Sequence, residues 1–340
     1  MGTGRYRAVQ VSTKGQFTLV EREVTAPLPG FVRIRVEACG VCHTDAVTVE
    51  GLVPGMKYPR VPGHEVIGRI DALGEGVSDW TTGQRVAVGY LGGPCFRCQP
   101  CRRGDFVNCL NQSITGVTYD GGYAEVMFAR EHALSKVPDE LSTTEAAPLI
   151  CAGLTTFNAL RHSCARAGDL VAVQGIGGLG HLGIQYARAM GFRVAAITRG
   201  AAKAPIARSL GAHAYIDTEA EDAVAHLQSL GGAKVILATG TSGHSMANLF
   251  AGLARRGEMI VVGVGNDPID VPNAALVLAS RSIHGSLTGT AIDGEDTFTF
   301  SVLGNVRPLV EVVPLEQAAV AYSRMMSGDA RFRMVLVTGQ

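Results

Sequence analysis

Apolar and polar residues alternate along Phe31-Val-Arg-Ile-Arg-Val-Glu-Ala, so one face of an extended segment is oily and the other wet. That is the pattern of a half-buried strand. Gly68-Arg-Ile-Asp-Ala-Leu-Gly and Arg85-Val-Ala-Val-Gly-Tyr-Leu also read as strands, and Gly and Pro punctuate the chain to about residue 150. Beyond Cys151 the texture changes. Leu170-Val-Ala-Val-Gln is a short buried-strand run, and a helix is predicted after the following glycines, with Leu179, Leu182, Gly183, Tyr186 and Met190 on one face. Arg193-Val-Ala-Ala-Ile-Thr, Val235-Ile-Leu-Ala-Thr and Met259-Ile-Val-Val-Gly-Val are further strands separated by helical stretches. Strands alternating with helices predict a parallel α/β sheet. From about residue 288 the pattern is mixed again. The expected organisation is one discontinuous β-rich domain, 1–152 and 288–340, around an α/β domain, 153–287.

Composition narrows this picture. A chain of 340 residues fits two domains at roughly 100–200 residues each, and 46% hydrophobic residues suffice for two cores. Thirty basic and thirty acidic residues cancel, and no basic run is interleaved with aromatics, so nothing points to nucleic acid. The opening Met1-Gly-Thr-Gly-Arg-Tyr-Arg lacks a signal peptide's apolar core, and no stretch approaches the ~20 apolar residues of a membrane span; a cytoplasmic protein is expected. In such a chain, the eight cysteines point to metal or catalysis rather than disulfides.

Four of them, Cys95, Cys98, Cys101 and Cys109, fall in one short run. Four thiolates satisfy tetrahedral zinc and leave no open position, so this site would be structural. A ferredoxin-type iron–sulfur run also begins C-x2-C-x2-C, but continues x3-C-P; here the last spacer is seven residues and Leu110 follows. A second set is more dispersed. Cys42-His43-Thr44-Asp45 ends a strand, Gly63-His64-Glu65 comes later, and Cys151 stands where the texture changes. Two thiolates and an imidazole would leave a fourth zinc position open for substrate. Spacing alone leaves Cys39-x-x-Cys42 open to a redox or merely buried reading.

The ordered combination of Cys42-His-Thr-Asp, Gly63-His-Glu, the 95–109 cluster and Cys151-Ala-Gly-Leu-Thr-Thr resembles the zinc alcohol dehydrogenases of the medium-chain dehydrogenase/reductase family, in particular the shorter, microbial-type tetrameric members. The resemblance implies a β-rich, chaperonin-10-like catalytic domain beside a Rossmann doubly wound parallel sheet. It implies two zincs per subunit. Cys42, His64 and Cys151 would be the catalytic ligands, with Glu65 beside the ion as an alternative ligand. Asp45 would fix the His64 tautomer. Thr44 would bond the substrate oxygen, and His43 and Arg333 would reach the cofactor phosphates. Cys39 and Cys164 match no ligand position and read as small buried hydrophobes.

Gly175-Ile-Gly177-Gly178-Leu179-Gly180 lies between a predicted strand and a predicted helix, the context in which G-x-G-x-x-G binds a dinucleotide. Where NAD enzymes usually carry a carboxylate for the ribose 2′-hydroxyl, this chain has Thr198 followed by Arg199. That pair accepts a 2′-phosphate better than an acid would, and leans the choice towards NADP over NAD.

The implied activity is reversible hydride transfer between a primary or secondary alcohol and NAD(P), through a zinc-bound alkoxide in a dry cleft between the domains. The chain departs from the family's pattern at Val47, where the proton relay usually has a histidine. Val49, Tyr90 and Tyr119 are expected to line the substrate pocket, and the small Val49 suggests substrates bulkier than ethanol. A homotetramer is expected, with a dimer the alternative. The rival readings are another zinc medium-chain dehydrogenase, of polyol or cinnamyl type, and a non-catalytic zinc and nucleotide-binding protein.

Overall fold

The computed structural model describes residues 4–339; the first three positions of the amino-terminal stretch lie outside them. The chain divides into two compact units, Met1–Cys151 with Gly289–Val302 and Pro308–Gln340, and Ala152–Thr288 with Leu303–Arg307. Among the described residues no helix is long and apolar enough to cross a membrane.

The first unit opens with an antiparallel hairpin, β1 (Arg5–Thr13) and β2 (Gln16–Glu23). Its larger sheet is organised by β3 (Phe31–Val41), whose Val32, Ile34 and Val36 are buried while Arg33 and Arg35 are not, as the alternation requires. Along one edge β3 pairs with β4 (Glu65–Leu73). Its other edge is shared, with β6 (Val126–Arg130) beside Phe31–Arg35 and β15 (Arg333–Val337) beside Ala38–Val41. Register shifts in the β3–β4 ladder mark local irregularity, which bends a strand and re-aims its side chains. β5 (Arg85–Val88), β7 (Leu134–Lys136) and β14 (Val310–Pro314) complete the sheet in the order β14-β15-β3-β4-β5-β7. The strand expected to run to Leu91 ends at Val88, because Gly89 packs its bare Cα against the Ile150 carbonyl.

This topology has one consequence for chemistry. The end of β3, the start of β4 and the start of β15 are held side by side: Gly40 faces Glu65 and Val41 faces Met334. Beneath them lies a core that includes Val36, Val41, Val66, Tyr123, Met127 and Met334.

The second unit is a six-stranded, wholly parallel sheet in the order β10-β9-β8-β11-β12-β13. Its strands are β8 (Leu170–Gln174), β9 (Arg193–Thr198), β10 (Ala214–Asp217), β11 (Ala233–Ala238), β12 (Leu253–Val261) and β13 (Ser282–Gly285). Counted within the unit, the order is 3-2-1-4-5-6, the doubly wound arrangement the sequence predicts. Every residue of β8 is buried, as expected of a strand covered on both faces. The predicted helix after the glycines spans Gly180–Ala189. In such sheets the crevice at the strand ends, where the winding reverses, receives the ligand; here that is the end of β8.

Candidate metal centre

Cys42 follows the last residue of β3 in an extended conformation and opens a single 3-10 turn, His43–Asp45. Asp45 folds back so that its Oδ2 accepts the Cys42 backbone N–H at 2.9 Å. His64 stands just before β4, after Gly63, whose φ of +100° is a left-handed conformation that side chains resist. Gly40 leaves room for Glu65: a Cβ there would strike the Glu65 carboxylate. Cys151 sits in a π-helical turn, Leu149–Gly153, a widened turn that recurs at functional sites.

Cys42, His64, Glu65 and Cys151 each direct a ligand atom into one spot, all within 4.8 Å of one another. The Cys42 and Cys151 sulfurs are 3.8 Å apart, and Cys151 Sγ is 3.5 Å from His64 Nε2. Ligands at about 2.3 Å for sulfur and 2.0–2.1 Å for nitrogen around one tetrahedral ion stand roughly 3.8 and 3.5 Å from each other, so the donor set fits zinc in both chemistry and spacing. His64 Nδ1 lies 3.0 Å from Asp45 Oδ1, leaving Nε2 to face the sulfurs. Burial pulls the His64 imidazole down, but the charges of Asp45 and Cys42 overcome it and hold it well above its usual range. The Cys42 thiol is held well below its usual range, first by its hydrogen bond with Cys151 and then by His64. Burial pushes the Glu65 carboxyl up to about 8 against the pull of Arg333. Glu65 Oε2 is buried and has no hydrogen-bond partner.

The second cluster gathers Cys95, Cys98, Cys101 and Cys109, again within 4.8 Å. Cys98 Sγ is 3.4 Å from Cys101 Sγ and 3.9 Å from Cys109 Sγ. Backbone N–H groups point at sulfur, Cys98 to Cys95 at 3.4 Å and Cys95 to Cys109 at 3.2 Å. Amides of Arg97 and Cys98 hold the Cys95 thiol down to about 6, whereas burial and neighbouring thiols push Cys101 up to about 12. All eight cysteines are free thiols. These four also fit a tetrahedral zinc.

The remaining expected residues are placed as follows. His43 is exposed; Thr44 is half-buried with Oγ1 3.6 Å from Cys42 Sγ. Tyr90 stands edge-on to the His64 ring, centroids 5.3 Å apart. Tyr119 gives its hydroxyl to a 2.8 Å contact with Thr115, and burial pushes it up to about 12. Val49 is packed in the hydrophobic core of the first unit, 1% exposed. Arg333 is buried and forms an ion pair with Glu65. Cys39 is buried as expected, but Cys164 is exposed: it lies in a surface turn after helix Leu154–Arg161, its N–H donating to Glu258.

In the second unit the glycine-rich loop joins β8 to helix Gly180–Ala189. Gly175 has φ +88°, and a Cβ on Gly180 would overlap the Gly175 carbonyl, so both must be glycine for the turn to close. Gly177 has nothing within 4 Å of where a Cβ would stand, leaving the loop's face open, and Gly178 and Leu179 are half-exposed beside it. Thr198 ends β9 and Arg199 is exposed next to it. Asp217, paired with Thr198 across the β9–β10 register, spends its Oδ1 on the amides of Gly200 and Glu219. Lys203 donates to the Ile176 carbonyl at 2.9 Å, at the loop's edge.

Sequence reasoning did not find Gly40, Tyr123 or Lys203. Gly40 had a readable signal, a glycine interrupting an alternating strand; the other two had none.

Two family models match the chain, an alcohol dehydrogenase GroES-like domain over residues 28–139 and a zinc-binding dehydrogenase over 178–301. An alcohol dehydrogenase of Penicillium expansum is 42% identical, covering 94% of this chain and 93% of its own. One from Geobacillus stearothermophilus is 38% identical over 90% of this chain and 92% of its own. Among solved structures, a cinnamyl alcohol dehydrogenase of Sorghum bicolor superposes with a TM-score of 0.89 at 28% identity, covering 98% of each chain. The chain belongs to the zinc-type alcohol dehydrogenases of the medium-chain dehydrogenase/reductase family. It is an oxidoreductase acting on small alcohols and the corresponding carbonyl compounds, with zinc and a nicotinamide dinucleotide as its cofactors.

Proposed function

We propose that Cys42, His64 and Cys151 hold a catalytic zinc, that the 95–109 cysteines hold a second, structural one, and that the enzyme interconverts alcohols and their carbonyl partners using NADP in preference to NAD. The observation that carries the catalytic site is the 3.8 and 3.5 Å spacing of the two sulfurs and the imidazole. Zinc supplies Lewis acidity, lowering the pKa of a bound hydroxyl or polarising a carbonyl.

The chain's own residues do the rest. Asp45 holds His64 in the tautomer that leaves Nε2 free. Thr44 Oγ1, beside Cys42, takes the hydroxyl proton during oxidation and returns it during reduction. Val47 offers no titratable group to carry that proton onward, so its exit would fall to water or another group. Arg333 neutralises Glu65, so we assign it to Glu65 before any cofactor phosphate. The glycine loop and the positive end of helix Gly180–Ala189 bind the cofactor diphosphate; His43 is exposed on the first unit. Tyr90 shapes the pocket beside His64. Thr198 and Arg199 receive the 2′-phosphate, since β9 ends in no carboxylate and the neighbouring Asp217 spends its Oδ1 on backbone amides. By family likeness we carry a cytoplasmic homotetramer.

Metal analysis beside kinetics tests the reading. Wild-type protein is expected to hold two zincs per subunit, and Cys42→Ser to lose one of them together with turnover. Retained turnover in Cys42→Ser would reject the catalytic assignment. Initial rates with NADH and NADPH over a carbonyl panel read out the cofactor and the substrate class, and a strong preference for NADH would reject the cofactor part.

A further inference from the structure

Asp45 does more than hold His64. Its carboxylate accepts from three directions: His64 Nδ1 lies 3.0 Å from Oδ1, while Oδ2 takes both the Cys42 amide at 2.9 Å and the Tyr123 hydroxyl at 2.8 Å. Tyr123, three residues before β6, is fully buried, and the Asp45 carboxylate is the acceptor of its hydroxyl. The ring occupies a fitted socket. Gly63 and Gly122 flank it; a Cβ on Gly63 would strike the ring, and Cys39 Sγ fills the same corner. Its backbone is pinned as well, the Tyr123 N–H donating to Pro62 at 3.0 Å and its carbonyl accepting from Val9 at 2.8 Å. The phenol is thus delivered to Asp45 by a rigid frame, on the side of the carboxylate away from the histidine.

Resting on the zinc reading of Cys42, His64 and Cys151, we infer that Tyr123 is a positioning residue for the catalytic metal. Its hydroxyl locks the Asp45 carboxylate, and through it the ring of His64 and the backbone of Cys42, so that two ligands are oriented by one buried group. Asp45 can rotate about its last torsion, and a buried carboxylate satisfied on both oxygens loses that freedom. Without the hydroxyl, Oδ2 keeps only the Cys42 amide and one lone pair is left unsatisfied in the core. Outer partners of metal ligands are worth about 10- to 100-fold in metal affinity, and Tyr123 stands one bond further out, which sets the expectation at about 10-fold.

The test is zinc release from the intact enzyme to a chromogenic chelator, comparing wild type, Tyr123→Phe, Asp45→Asn and the double variant. Phenylalanine keeps the ring and removes only the hydroxyl. Wild type should release two zincs in separate phases. Tyr123→Phe should release the catalytic zinc about 10-fold faster, leave the zinc of the 95–109 cluster unchanged and lower kcat more than it raises the cofactor KM; in the Asp45→Asn background it should have no further effect. Cobalt substituted at the catalytic site should show a shifted d–d band in Tyr123→Phe. Two zincs released at wild-type rates with an unshifted band would overturn this inference while sparing the metal reading. Equal acceleration of both phases would also overturn it, by showing a general loosening. Wild-type protein whose only zinc survives Cys42→Ser would overturn the metal reading and this inference with it.

Discussion

Arg333 closes a buried ion pair on Glu65, across 268 positions of the chain. Both side chains are out of water, and Arg333 Nε, like Glu65 Oε2, has no further partner. Removing one member of such a pair strands a charge and costs about 3–5 kcal/mol, whereas replacing both is often close to neutral. Glu65→Gln, which leaves the Arg333 charge stranded, should therefore lower the unfolding free energy by about 3–5 kcal/mol in denaturant titrations. Adding Arg333→Met to Glu65→Gln should recover most of it. A single variant as stable as wild type would contradict the pair.

The glycine loop offers a contrast between two neighbouring positions. Gly180→Ala puts a Cβ into the Gly175 carbonyl, so backbone must move, and a displaced dinucleotide should raise the cofactor KM roughly 10- to 100-fold with zinc content unchanged. Gly177→Ala meets nothing in the protein itself. It should keep wild-type thermal stability yet weaken cofactor binding, because only the ligand occupies that space. Unchanged binding in both would remove the loop from the site.

Arg199 is the test of cofactor choice. It is exposed, so Arg199→Ala should not disturb the fold. Losing a charge-assisted bond to a phosphate costs about 1.5–3 kcal/mol, or roughly 10- to 100-fold in the KM for NADPH, with little change for NADH. Equal effects on the two cofactors would reject a 2′-phosphate contact.

In the zinc-stripped protein the four clustered thiols should differ sharply. Cys95 ionises at about 6 and Cys101 at about 12. The thiolate is the reactive form, so Cys95 should alkylate with iodoacetamide once the pH rises through 6, and Cys101 should stay protected at neutral pH. Peptide mass spectrometry after a short pulse at pH 5, 6, 7 and 8 reads this directly. Loading zinc should protect both.

Val47 bears on the pH dependence of oxidation. Val47→His supplies an imidazole that ionises near 6.5 and can pass on the proton from Thr44. The pH optimum for alcohol oxidation should move downward in that variant. An unmoved profile would mean that another group already does this work.

How much of this was legible follows from how far apart the partners lie. The 95–109 thiols announce themselves because a short spacer lets one loop surround an ion. The glycine loop is readable because strand, glycines and helix are consecutive. The parallel sheet is readable because short apolar runs such as Leu170–Val173 and Val235–Ala238 alternate with helical stretches. Arg333 with Glu65, and Tyr123 with Asp45, leave no such trace, since neither partner carries a periodic or local signal of the other. The π-helical turn at Cys151 is equally silent, being a change in hydrogen-bond spacing within an otherwise ordinary helical sequence. Val49 shows the opposite failure: position along the chain suggested a pocket wall, while the fold packs that side chain into the core.

The two cysteine clusters also differ in when they can exist. The 95–109 site needs only its own loop, so it can capture a metal as soon as that stretch of chain is made. The other cannot form until Cys151, 109 residues beyond Cys42 and 87 beyond His64, has been synthesised and folded against them. On the two-zinc reading, the stiffening metal is therefore free to arrive first and the reactive one last, so that a chain carrying only the first has no reactive ion exposed before its cage is complete.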